Sequence, residues 1–100
     1  MISDTDYEVV KDLNGEVAVN RYGEVIRLKD HQWIEAHICH KNTHRMEAYI
    51  SFKVNGQRAL RYISRLVAEC FMVGFDPARN VFHLDGDSSN NHIDNLYQAG

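Results

Sequence analysis

One proline and two cysteines in 100 residues leave this chain few means of being spaced out or stapled together. With so little proline, and no stretch biased toward glycine or serine, a linker and a low-complexity tract are both excluded. The expectation is a single domain over residues 1–100. Cys39 and Cys70 alone make no disulfide framework, which excludes the small secreted scaffolds and points to a reduced, cytoplasmic setting. No apolar run approaches the roughly 20 residues of a membrane span. The opening segment carries Asp4, Asp6 and Glu8, unlike the basic start of a secretory leader. A positive net charge is missing as well, since the formal charge is -3 at pH 7. Phosphate contacts dominate affinity for a duplex, so this balance argues against a strong nonspecific binder.

What charge there is falls unevenly. Asp4, Asp6, Glu8, Asp12 and Glu16 face only Lys11 in the first sixteen residues, and Asp85, Asp87 and Asp94 close the chain without Lys or Arg. Between them lies a basic middle. Lys53, Arg58, Arg61, Arg65 and Arg79 are its candidate nucleic-acid contacts, through phosphate pairing. The competing reading is a solvated face that keeps the protein soluble. Arg58 and Arg61 differ in strand parity, so they form no clean stripe, and Glu69 is placed to pair with Arg65 one helical turn away.

A hydrophobic share of 44% with 25% charged residues fits a folded domain with a modest core. Asn14-Gly15 and Asn55-Gly56 each sit between alternating apolar stretches, the pattern of a two-residue hairpin turn. Tyr22-Gly23 marks a further turn before a strand at Val25 to Leu28. His31 to Lys41 reads as one strand, and Lys41 to Met46 as a loop. After Tyr62 the period changes: Ile63, Leu66, Val67, Cys70 and Phe71 form a helix stripe over 63–74, with Ser64 as N-cap and Gly74 as stop. Val81-Phe82-His83 and Leu96-Tyr97 then read as strands joined by a polar loop turning on Gly86. The expected class is α+β: a small antiparallel sheet over 7–62 with one main helix, then a β-loop-β segment over 80–100. Trp33, Tyr49, Phe52, Tyr62, Phe71, Phe82 and Tyr97 are expected in or near the core.

Two groups of side chains could carry chemistry. His83, beside an amide-rich loop, can accept a proton near neutral pH. His37, Cys39, His40 and His44 are all potential zinc ligands, but their spacing matches no familiar zinc motif. Strand alternation also sends His37 and Cys39 to one face and His40 to the other, so a solvated strand is the plainer reading and zinc stays open.

The order His83-x-Asp85-Gly86, Asn90-Asn91, Asn95-Leu96 resembles the HNH nuclease motif in its phage homing-endonuclease branch. Upstream, YISRLVAECF from Tyr62 to Phe71 looks like the helix preceding that motif. VAVNRYGEVIRL from Val17 to Leu28 looks like the branch's N-terminal module of strand, Asn, aromatic, Gly and strand. The resemblance implies a ββα-metal-like hairpin with His83 as general base and Asn95 as the middle Asn that steadies loop and base. It also implies what has changed. The family places a metal ligand just before the histidine, where this chain has Phe82. Its second ligand lies on a helix that would follow Gly100, and His is common where Ser64 stands here.

Two functions remain. The first is a scaffold with a degenerate metal site and no cofactor. It would bind DNA, or a host nucleic-acid enzyme or defence protein that it inhibits, with Phe82 as an apolar anchor for a protein partner. The second is a DNA-nicking endonuclease using magnesium or another divalent metal, with His83 as base and ligands drawn from Asp85, Asp87 or a second subunit. The oligomeric state stays open in both.

Overall fold

The computed structural model describes residues 6–42 and 45–98, apart from the side chains at 12, 38–42, 45 and 46. The first third of the chain builds a four-stranded antiparallel sheet in the order β1-β2-β3-β4. Its strands are β1 (Glu8–Val9), β2 (Val17–Val19), β3 (Val25–Arg27) and β4 (Gln32–Trp33). A 3₁₀ turn over Lys11–Leu13 leads into Asn14 and Gly15, at φ 58° and 71°, which reverse the chain. β2 shows no in-out alternation, because Val17, Ala18 and Val19 are all buried. Arg27 and Asp30 close the turn into β4 with paired hydrogen bonds of 2.8 and 3.1 Å.

The second sheet joins β5 (His37–Asn42), β6 (Arg45–Val54) and β7 (Gln57–Tyr62) in that order. Asn55 and Gly56 adopt φ 53° and 79°, the left-handed pair that a tight hairpin between right-twisted strands needs. Ile50, Phe52 and Val54 face inward, while Tyr49, Ser51 and Lys53 take the other face. β7 runs directly into α1 (Ile63–Phe71), and a two-stranded hairpin of β8 (Val81–His83) and β9 (Leu96–Gln98) completes the fold.

All three sheets meet on the one helix. Its stripe of Ile63, Leu66 and Val67 packs with Val17 and Val19 of the first sheet, Ile50 of the second, and Val81 and Leu96 of the hairpin. Each large apolar side chain so buried contributes about 1.5–3 kcal/mol relative to exposure.

This is the expected α+β class with one main helix, and several details differ. The antiparallel structure is divided among three small sheets instead of one. The strand expected over His31 to Lys41 is broken: His31 has a left-handed φ of 57°, β4 pairs with β3, and β5 pairs with β6 in the other sheet. The loop expected at Lys41 to Met46 is mostly strand, with β5 reaching Asn42 and β6 starting at Arg45. Ser64 does not cap the helix. Pairing of Tyr62 with Tyr49 keeps the backbone extended through Tyr62, so the helix starts at Ile63 and Ser64 lies buried in its first turn. The helix ends at Phe71, and Gly74 forms a later turn. Trp33 is 53% and Tyr97 42% exposed, so neither is a core residue.

Candidate functional site

His83 closes β8 opposite Leu96, and the segment from Leu84 to Asp94 loops out between the two strands. Its polar side chains largely bond one another. Asp85 Oδ1 accepts from the Asp87 backbone N–H at 2.8 Å and from Asn95 Nδ2 at 2.9 Å. Asp85 Oδ2 accepts from Asn90 Nδ2 at 2.9 Å. Asn95 also donates to the Asn90 carbonyl at 2.8 Å, and its Oδ1 accepts from the Asp85 backbone N–H at 3.2 Å. Asn95 thus clasps the two ends of the loop. Donors favour the charged carboxylate, so the Asn90 amide, then the Asp87 N–H and Asn95, lower the Asp85 pKa to about 2. Asp87 is lowered too, first by the Ser89 hydroxyl and backbone N–H, with His83 a smaller contributor.

A depressed carboxylate pKa contributes stability that is present above the unfolded value, about 3.9, and lost as pH falls through the folded one. The carboxamide proton signals of Asn90 and Asn95 are therefore expected to titrate with a midpoint at about 2. A midpoint at about 3.9, the free-aspartate value, would mean that the clasp does not form.

His83 itself meets a different asparagine. Its Nε2 lies 2.8 Å from Asn91 Oδ1. Asn91 is buried and donates through Nδ2 to the Ser88 carbonyl at 3.1 Å, which fixes which end of its amide faces the ring. A carboxamide oxygen has no proton to give, so Nε2 carries the hydrogen and the lone pair of neutral His83 is left on Nδ1. In the sequence Asn91 stands only as half of an Asn-Asn pair. Its role depends on a contact eight positions away, for which local pattern gives no signal.

Phe82 is half-buried, with its ring 5.5 Å from that of Tyr97 at 32°. It offers a cation no donor atom, and both oxygens of Asp85 accept hydrogen bonds within the loop. Among the described residues no group of three or more His, Cys, Asp or Glu is gathered closely enough to hold a metal ion. The His37, Cys39, His40 and His44 cluster falls outside the described side chains, except for His37, whose ring lies 5.5 Å from Tyr49.

The five basic candidates separate into three places. Lys53 and Arg58 are cross-strand partners, both exposed, on the face of the second sheet turned away from the helix. Arg58 donates to Ser51 Oγ at 2.7 Å. Arg61 lies opposite Ile50 and bonds the Leu60 carbonyl at 3.0 Å. Arg65 donates to the carbonyls of Arg79, at 3.1 Å, and of Pro77, and stacks 5.4 Å over Phe75. Arg79 pairs with Asp76 at 3.2 Å. Arg65 thereby ties the helix to the 76–79 turn.

A short antiparallel hairpin with a histidine at the end of its first strand and an asparagine-clasped loop thus packs against the one main helix. The protein has an HNH homing-endonuclease-like fold, and a solved structure supplies the comparison. The HNH homing endonuclease I-HmuI, in a structure describing its DNA binding and cleavage, superposes with a TM-score of 0.81 at 25% identity over 95% of this chain. The chain spans 52% of that protein's length. No protein-family model matches the sequence, and no curated protein does. Among the described residues no helix is long and apolar enough to cross a membrane.

Proposed function

We propose that this protein uses an HNH homing-endonuclease frame to bind DNA without cutting it. The observation that carries this reading is Phe82. The family pattern places a metal ligand before the histidine, and here that position holds an aromatic ring stacked on Tyr97. Cleaving a phosphodiester builds charge on the scissile phosphate and leaving oxygen, and a cation normally neutralises it. A general base alone contributes on the order of 10²–10⁴ in rate, which is too little. DNA is favoured as target by the Lys53–Arg58 pair on an exposed sheet face, and by the DNA-binding activity of the similar I-HmuI.

The test has two arms. Purified protein incubated with supercoiled plasmid and magnesium or manganese is expected to leave the plasmid intact. Nicking that disappears in His83→Ala would establish the alternative, a metal-dependent nicking endonuclease with His83 as base. In the second arm, duplex affinity is measured at two salt concentrations, and binding that weakens steeply with salt is expected. Failure to bind at low salt would instead make the target a host nucleic-acid enzyme or defence protein, reached through the Phe82 side of the hairpin.

A further inference from the structure

The turn from Asn20 to Glu24 lies far from His83 in sequence and against its loop in space. Asn20 is completely buried, and its side chain organises the turn. Oδ1 accepts from the backbone N–H groups of Tyr22, at 3.0 Å, and Glu24, at 2.9 Å, while Nδ2 donates to Glu24 Oε1 at 2.7 Å. The turn so formed carries Gly23 at φ 85°. A Cβ at Gly23 would come within 2.9 Å of the Asn91 Cβ and 3.4 Å of the Asn91 carbonyl oxygen. The glycine backbone is therefore in direct contact with the residue that holds His83.

The flanks of the turn are tied down as well. Ile93 N–H donates to the Arg21 carbonyl at 2.8 Å, and the Tyr22 and His92 rings meet edge-on at 4.7 Å. The Arg21 guanidinium sits 4.9 Å over Phe71 at the end of the helix. The turn thus bridges α1 and the loop, with Asn91 enclosed between Gly23 and His83.

We infer that the Asn20–Glu24 turn is a positioning element for His83. Acting through Asn91, it keeps Nε2–H engaged and presents Nδ1 as the accepting atom. The N-terminal module is then a brace for the histidine as well as a fold element. This holds independently of whether bound DNA is cut, and it assigns Gly23 and Asn91 as positioning residues. Asp87 is the charged neighbour that electrostatics links to His83, and it lies on the loop outside this chain of contacts.

The readout is ring ¹⁵N NMR of His83 in the full chain. The wild type is expected to show a slowly exchanging Nε2–H and an Nδ1 shift typical of an unprotonated ring nitrogen. In Asn91→Ala the Nε2–H signal is expected to be lost to solvent exchange. In Asn91→Asp, which keeps an accepting oxygen opposite Nε2, the Nε2–H signal is expected to be retained. A merely structural role for Asn91 would not separate the two variants.

Gly23→Ala is expected to broaden or shift the Nε2–H signal while amide signals of the second sheet stay in place. Gly15→Ala is the control. Gly15 has a similarly positive φ of 71° but nothing within 4 Å of its Cβ, so the signal is expected to be unchanged. Should Gly23→Ala not fold, Asn20→Ser loosens the same turn more mildly and is read the same way. An unaltered His83 spectrum in Asn91→Ala, or in whichever turn variant folds, overturns the inference.

Discussion

Leu66→Ala is expected to cost about 2–5 kcal/mol of folding stability. Leu66 is 1% exposed and lies mid-helix, where the three sheets converge. Its truncation removes apolar burial and leaves a cavity that three separate sheets cannot all move to fill. A helix of 9 residues has little stability of its own, since isolated helices below about 12–15 residues are marginal in water. The helix therefore persists because the sheets pack on it, and all three sheets contribute to the one core around it. Against a total of about 5–15 kcal/mol for a domain, the loss is a large fraction. Each kcal/mol corresponds to about 4–8 °C in Tm for a domain of this size. Thermal and urea unfolding followed by far-ultraviolet circular dichroism measures it. Val73→Ala, at a position 99% exposed, is the control and is expected within about 0.5 kcal/mol of wild type. A Leu66→Ala cost below about 1 kcal/mol would mean that the helix is not the common support.

Lys53→Glu combined with Arg58→Glu is expected to weaken duplex binding at least tenfold at low salt and to flatten its salt dependence. Each phosphate contact contributes a slope of about -0.9 in log K against log salt, so losing two flattens the slope by about two. The two side chains are direct cross-strand partners on an exposed sheet face, a spacing that lets both reach one phosphate backbone. Lys11→Glu with Lys29→Glu changes net charge equally at exposed positions on the other sheet's side of the chain. It is expected to have a much smaller effect. Equal effects of the two pairs would reduce the sheet face to a contributor of overall charge. Arg65→Gln is expected to act on stability before binding, because its guanidinium holds the carbonyls of Pro77 and Arg79.

Much of the architecture was legible where local chemistry decides it. Asn-Gly turns announce hairpins because few residues accept two consecutive left-handed conformations, and both such turns fold that way. The change of apolar period at Ile63 announced the helix for a similarly local reason. Failures came where the deciding partner is distant. The alternation from His31 to Lys41 continues across a break between two sheets, because side-chain parity carries no information about which neighbour a strand has. Ser64 looks like a cap, but a strand register fixed by Tyr49 sets where the helix begins. At the candidate site, His83 and Asn95 stood out as motif positions. Asn91, Asn20 and Gly23 also fell within quoted motifs, but nothing local joins them to His83, since their arrangement is a tertiary contact between the first sheet and the last loop.

Trp33, the single tryptophan, sits half-exposed at the edge strand of the first sheet. About half of its surface already meets water in the folded protein, so its emission will change less than that of a core tryptophan when the core opens. Intrinsic fluorescence is consequently a poor gauge of unfolding for this molecule. The same exposure makes it a sensitive optical reporter of anything that settles against that edge.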